Sequence, residues 1–101
     1  MKPVIIVSTF PDKTSITKIA NQLVKKKLAA CVNIMKISSV YAWKGKIENQ
    51  PEYLGLFKTT KKNQLVLKKE LRKLHPYDIP EIAEINVDSI NQPYLKWLVD
   101  S

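Results

Sequence analysis

Between about Ala29 and Thr60 the chain carries two long runs rich in β-branched and aromatic residues, joined by Trp43-Lys44-Gly45-Lys46. A glycine-containing tight turn between two such runs predicts a β-hairpin. Each arm would hold about 14 residues, against ~5–6 in a usual strand. At ~3.3 Å per residue an arm spans roughly 45 Å. A compact chain of this size has a radius of gyration near ~13 Å, hence a diameter of roughly 33 Å. The hairpin is longer than the domain that must contain it. Its excess has to bend over or pair with something else, which points to an oligomer.

With Lys44-Gly45 as a two-residue turn, Trp43 faces Lys46, Tyr41 faces Glu48 and Ser38 faces Pro51. Proline cannot donate to a ladder and belongs on an edge or at a bulge. A bend is therefore expected at the Ser38–Pro51 rung, dividing the hairpin into a base and a tip. The tip carries Val40, Tyr41, Trp43 and Ile47. An exposed aromatic tip suits docking on a neighbour, so Tyr41, Trp43 and Ile47 are candidate oligomer-interface residues.

The rest of the chain fits one domain, residues 1–101, without repeats or linkers. Val4 to Val7 predicts a short strand buried on both faces. Asp12 is placed to cap a helix whose stripe is Ile16, Ile19, Ala20, Leu23 and Val24. A second helix starts between Thr60 and Asn63, with Leu67, Leu71 and Leu74 as its stripe supported by Val66, and Pro76 ends it. Glu81 to Val87 alternates as a strand, and Pro93 opens a terminal helix over Tyr94 to Val99. The order β-α-β-β-α-β-α is the split β-α-β pattern of an α+β fold. Right-handed crossovers place both long helices on one face of an antiparallel sheet.

The other face is then bare, yet the strands are not polar on alternate positions as a solvated face requires. Cys31, Met35 and Ile37 oppose Ala30, Val32 and Ile34, and Tyr53 and Phe57 oppose Leu54 and Leu56. An apolar patch of this extent is unusual on a soluble monomer. Burial against further copies, in closed cyclic symmetry, is the simplest solution.

The net charge is +8, and Arg72 is the only arginine. Nucleic-acid interfaces favour arginine for its bidentate geometry, so the lysines predict mainly a solvated surface. Nucleic-acid binding through the lysine-rich helices is the minor alternative. A basic-glycine-aromatic RNA-recognition signature is missing from Tyr53-Leu54-Gly55-Leu56-Phe57. No apolar run approaches the ~20 residues that cross a bilayer, and no membrane partner is expected. With Cys31 as the one cysteine, an internal disulfide is impossible. A cytoplasmic location follows as the default.

His75 is the only histidine and Cys31 the only thiol, and neither has a second soft ligand at metal-binding spacing. His75 is nonetheless the one candidate metal residue; Cys31 fits a small core residue. The densest polar cluster is His75, Tyr77, Asp78 and Glu81; it fits first the organiser of a rigid two-proline loop, and second a cleft between subunits lined by Tyr77 and Glu81. No nucleophile elbow, phosphate loop or dinucleotide fingerprint is present, so no catalytic set is assigned and no enzyme activity is expected.

A family resemblance runs through five segments in order. They are Ala29-Ala30-Cys31-Val32-Asn33-Ile34, Ser39-Val40-Tyr41-Ala42-Trp43-Lys44-Gly45-Lys46-Ile47-Glu48, Lys58-Thr59-Thr60, His75-Pro76-Tyr77-Asp78-Ile79-Pro80-Glu81-Ile82 and Tyr94-Leu95-Lys96-Trp97-Leu98. Together they resemble the CutA divalent-cation tolerance proteins over nearly the whole chain. The resemblance implies a ferredoxin-like fold and a tight homotrimer built by pairing long strands between subunits. It also implies an architecture like the PII signalling proteins, hence the alternative of a small-ligand sensor using inter-subunit clefts. Members of the family are linked to tolerance of copper and other divalent cations, and some to anchoring of a membrane enzyme. The copper ligands proposed for bacterial members are a cysteine in the first strand and a histidine pair before the Pro-Tyr. This chain has Ser8 at the first and Leu74-His75 at the second, so only His75 matches. A rigid trimer of this kind would suit a heat-adapted source.

Overall fold

The computed structural model describes residues 1–101. Its elements are β1 (Pro3–Phe10), α1 (Lys13–Lys25), β2 (Cys31–Trp43), β3 (Lys46–Thr60), α2 (Gln64–Leu74), β4 (Ala83–Asn86) and α3 (Gln92–Asp100). The four strands form one antiparallel sheet in the order β2-β3-β1-β4. That is the expected ferredoxin-like arrangement, with α1 and α2 packed on one face.

Alternation along β1 decides which face carries the core. Val4, Ile6, Ser8 and Phe10 are buried, whereas Ile5, Val7 and Thr9 are only half-buried. The strand is longer than the expected Val4–Val7 and is not equally buried on its two faces. Phe57 pairs with both Ile6 and Val32, so it turns into the same core. There it meets Ile16, Ile19 and Leu23 of α1 and Leu67 and Leu71 of α2. Phe57 thus lies under the helices rather than on an open platform for bases. Val24 and Val66, expected in the helix stripes, are exposed.

The chain folds as it does locally for identifiable reasons. Asp12 Oδ1 accepts the Ser15 N–H at 2.7 Å and caps α1. His75 leaves the helical region at φ −66°, ψ 136°, as the residue before Pro76 must. Gly55 sits where an added Cβ would lie 2.7 Å from Phe57 Cε1 and 3.0 Å from Ile16 Cδ1. Only a glycine lets the Phe57 ring and α1 close over the centre of β3.

The hairpin is the dominant shape. Lys44 (φ 49°) and Gly45 (φ 78°) are both left-handed, the signature of a type I′ turn. The register is as expected, with Trp43↔Lys46, Tyr41↔Glu48 and Ser38↔Pro51. The expected break at Pro51 is absent, and the ladder passes through that rung without a bulge. Counting alternate rungs back from the turn makes Ser38–Pro51 a non-hydrogen-bonded pair, so position 51 has no N–H directed at β2. Its other edge is free, because β1 reaches only Tyr53. Proline therefore costs the ladder nothing there. The unbroken arm gives the molecule its longest dimension, 46 Å against 25 and 21 Å.

The face away from α1 and α2 presents Ile5, Val7, Met35, Ile37, Leu54 and Leu56, all half-buried or exposed. The terminal helix α3 reaches back to β3, where Lys58 Nζ lies 5.6 Å from the Tyr94 ring centroid. At the tip, Val40 is 68% exposed, Trp43 52% and Ile47 70%.

Candidate functional site

Of the polar cluster predicted after α2, His75 and Tyr77 converge while Asp78 stays exposed, and the pair is organised around a buried residue outside the cluster. Ser8 is fully buried on the core side of β1, in the stripe with Val4, Ile6 and Phe10. The Tyr77 N–H donates to His75 Nδ1 at 3.1 Å. That makes Nδ1 the acceptor, so Nε2 carries the ring proton and donates to Ser8 Oγ at 3.0 Å. Ser8 Oγ in turn donates to the Glu81 carbonyl at 2.6 Å. One directed chain of hydrogen bonds thus ties α2's end, the loop 75–82 and β1 together. The Phe10 ring stacks on the imidazole with centroids 4.3 Å apart, and Tyr77 flanks it at 5.3 Å.

Burial under Phe10 holds the His75 pKa below its ordinary value, with a backbone contact at Thr9 pulling the other way. The imidazole is kept neutral, and both of its nitrogens are committed. A neutral histidine can ligate a metal only through an unprotonated nitrogen that has a free lone pair. In this geometry His75 offers none, and no group of three His, Cys, Asp or Glu side chains converges anywhere in the chain. Within one protomer the residues present do not fit a metal centre built on His75.

Tyr77 makes the second link. Its hydroxyl donates to Glu52 Oε2 at 2.7 Å, joining the loop to the root of the projecting hairpin. Burial, then the Glu52 carboxylate, push its phenol pKa well above the ordinary value. Glu81 contributes its carbonyl to the chain while its side chain is exposed. His75 and Tyr77 therefore come together as expected, whereas Glu81 takes part through its backbone. Cys31 lies half-buried at the start of an edge strand, outside the core cluster.

Sequence reasoning missed the two partners, Ser8 and Glu52. Ser8 was legible: a hydroxyl in step with Val4, Ile6 and Phe10 must find a buried partner. Ending the first strand at Val7 hid that periodicity. Glu52 carries no such mark, since a carboxylate on a half-exposed strand is ordinary.

Comparison with known proteins gives a consistent result. The sequence model of the family described as CutA1 divalent ion tolerance protein matches residues 4–101. The divalent-cation tolerance protein CutA of Pyrococcus horikoshii is 41% identical over 97 residues, covering 96% of this chain and 95% of that one. The CutA1 crystal structure from Ehrlichia chaffeensis superposes with a TM-score of 0.95 at 33% identity, covering 99% of this chain and 95% of that one. The CutA structure from Synechococcus elongatus gives a TM-score of 0.96 at 30% identity, with 98% and 88% covered.

Proposed function

The chain belongs to the CutA1 divalent ion tolerance family, and from that premise we propose that it acts in the response to divalent cations as a homotrimeric, non-catalytic scaffold. One observation carries the reading: an unbroken hairpin that overhangs its own domain, continuous with a sheet face of Ile5, Val7, Met35, Leu54 and Leu56 that neither α1 nor α2 covers. Apolar surface of this extent is stable in water when it is shared between copies. Three is the number the family resemblance implies. His75 serves such a scaffold as an internal pin rather than as a copper ligand, because its nitrogens are used within the fold.

Light scattering coupled to size exclusion tests the assembly. The expected mass is three protomers at micromolar concentration. Trp43→Lys with Ile47→Glu should lower that mass while helix content is retained. A wild-type monomer would refute the scaffold. Calorimetric titration with Cu²⁺ addresses the metal separately: wild type and His75→Ala should behave alike, and loss of binding in the variant would restore His75 as a ligand.

A second reading is favoured by the Tyr77–Glu52 pair. It is a part-buried polar contact at the hairpin root, beside the elements a neighbouring copy would approach. A small ligand held in clefts between subunits would meet the Tyr77 hydroxyl first. Thermal-shift screening of nucleotides and small anions tests this, with Tyr77→Phe abolishing any stabilisation found. No shift from any of them would set the sensor aside.

A further inference from the structure

The charge of this chain is not spread evenly. Residues 13–27 and 61–74, which carry α1, α2 and their flanking turns, hold eleven cationic side chains against Glu70 as the single acid. Glu70 pairs with Lys26, and Lys61 and Lys68 are drawn inward to Glu84 on β4. No cation on the outer stripe of α2 forms a salt bridge, although Lys73 lies near enough to Glu70 to lower its pKa. Lys62, Leu65, Val66, Lys69, Arg72 and Lys73 follow one another at helical spacing, opposite the buried Leu67 and Leu71. Leu65 is 58% exposed and Val66 53%. They stand at the first turn with lysine on both sides.

Two features of this stripe choose between polyanions. Nucleic acid is bound by arginine forks and by aromatic rings that stack on bases. Arg72 is the only arginine, and neither α1 nor α2 contains an aromatic residue. A bilayer surface asks for something else: lysines over anionic headgroups and a few aliphatic side chains that dip to the acyl boundary. Two exposed aliphatic residues within a cationic stripe meet that requirement, and they have no role in the core. The face also points away from the apolar sheet surface, so assembly through that surface leaves it free.

We propose that the outer face of α2 is a peripheral docking surface for anionic lipid bilayers, with Leu65 and Val66 entering the interface and Lys62, Lys69, Arg72 and Lys73 holding the headgroups. Such a contact needs no spanning segment and is independent of the scaffold reading. Co-sedimentation of the full chain with phosphatidylcholine vesicles, carrying or lacking phosphatidylserine, tests it. Binding is expected only with phosphatidylserine and should weaken with salt. Each basic residue near an anionic surface is worth about fivefold, so Lys62→Gln/Lys69→Gln/Lys73→Gln should lose on the order of a hundredfold. Leu65→Ser/Val66→Ser should lose about tenfold with an unchanged melting temperature. Absence of binding, or equal binding to both vesicles, overturns the proposal. So does full binding by Leu65→Ser/Val66→Ser, which would leave a merely electrostatic surface. Displacement from vesicles by duplex DNA at equal phosphate would assign the face to nucleic acid instead.

Discussion

Ser8→Ala removes one oxygen atom from the core and should cost far more than its size suggests. That oxygen is an acceptor for His75 Nε2–H at 3.0 Å and a donor to the Glu81 carbonyl at 2.6 Å, in a residue with no solvent exposure. Alanine removes the Ser8 partner of a buried ring N–H and of the part-buried Glu81 carbonyl, beside the Phe10 ring. Leaving a buried polar group unsatisfied costs ~1–3 kcal/mol each, so taking the low end for two groups gives about 2–3 kcal/mol. For a domain of this length each kcal/mol moves the melting temperature by about 4–8 °C. A fall of roughly 10–20 °C follows, or a matching shift in urea midpoint at fixed protein concentration. The mechanism has its own signature. In the wild type, imidazole nitrogen shifts should report an Nε2–H tautomer with an unprotonated Nδ1, and Ser8→Ala should broaden or shift those signals. A Ser8→Ala midpoint within about 0.5 kcal/mol of wild type, the usual scatter of a surface substitution, would refute the account of this chain of bonds.

Three further outcomes are expected. His75 has a folded pKa below its unfolded value of about 6.5, so the unfolded state binds the proton more readily. Its contribution to stability is full above that value and is lost as pH falls through the lowered folded pKa, with a slope of at most about 1.4 kcal/mol per pH unit; denaturation at stepped pH should show this and His75→Phe should not. Gly55→Ala places a Cβ against Phe57 and Ile16 and should destabilise by about 1–3 kcal/mol, as overpacking does, measured by urea unfolding. In an alkaline absorbance titration Tyr77 should ionise well above the ordinary phenol range, and Glu52→Gln should bring its midpoint down.

The fold was legible because its strongest signals are periodic. The hairpin register, the split β-α-β order, the Asp12 cap and the Pro76 stop all rest on local geometry that one residue can dictate. The strand ends were less so. Ser8, Thr9 and Phe10 look like the start of a loop before Pro11, yet pairing with Tyr53, Leu54 and Gly55 draws them into β1. Pro51 misled for a related reason: whether a proline breaks a ladder depends on which edge is already free, and that is a tertiary fact. At the site, the identities of His75 and Tyr77 were visible. Their partners Ser8 and Glu52 lie 67 and 25 residues away in the chain, and no spacing rule connects them.

Beyond the end of β1, the outer rungs of the hairpin from Ser38↔Pro51 to Trp43↔Lys46 have each other as their only strand neighbours. A two-stranded ribbon alone in water is marginally stable. Amide hydrogens in those rungs should therefore exchange with solvent much faster than those of β1 whenever the chain stands alone, and slow down when another copy lies across them. In the proposed assembly, ordering of the arm and association would be a single equilibrium, governed by protomer concentration. Dilution would fray the arm and expose it to proteases while the domain at its base stays folded, so the arm's exchange rate works as a built-in gauge of how crowded the protein is with its own kind.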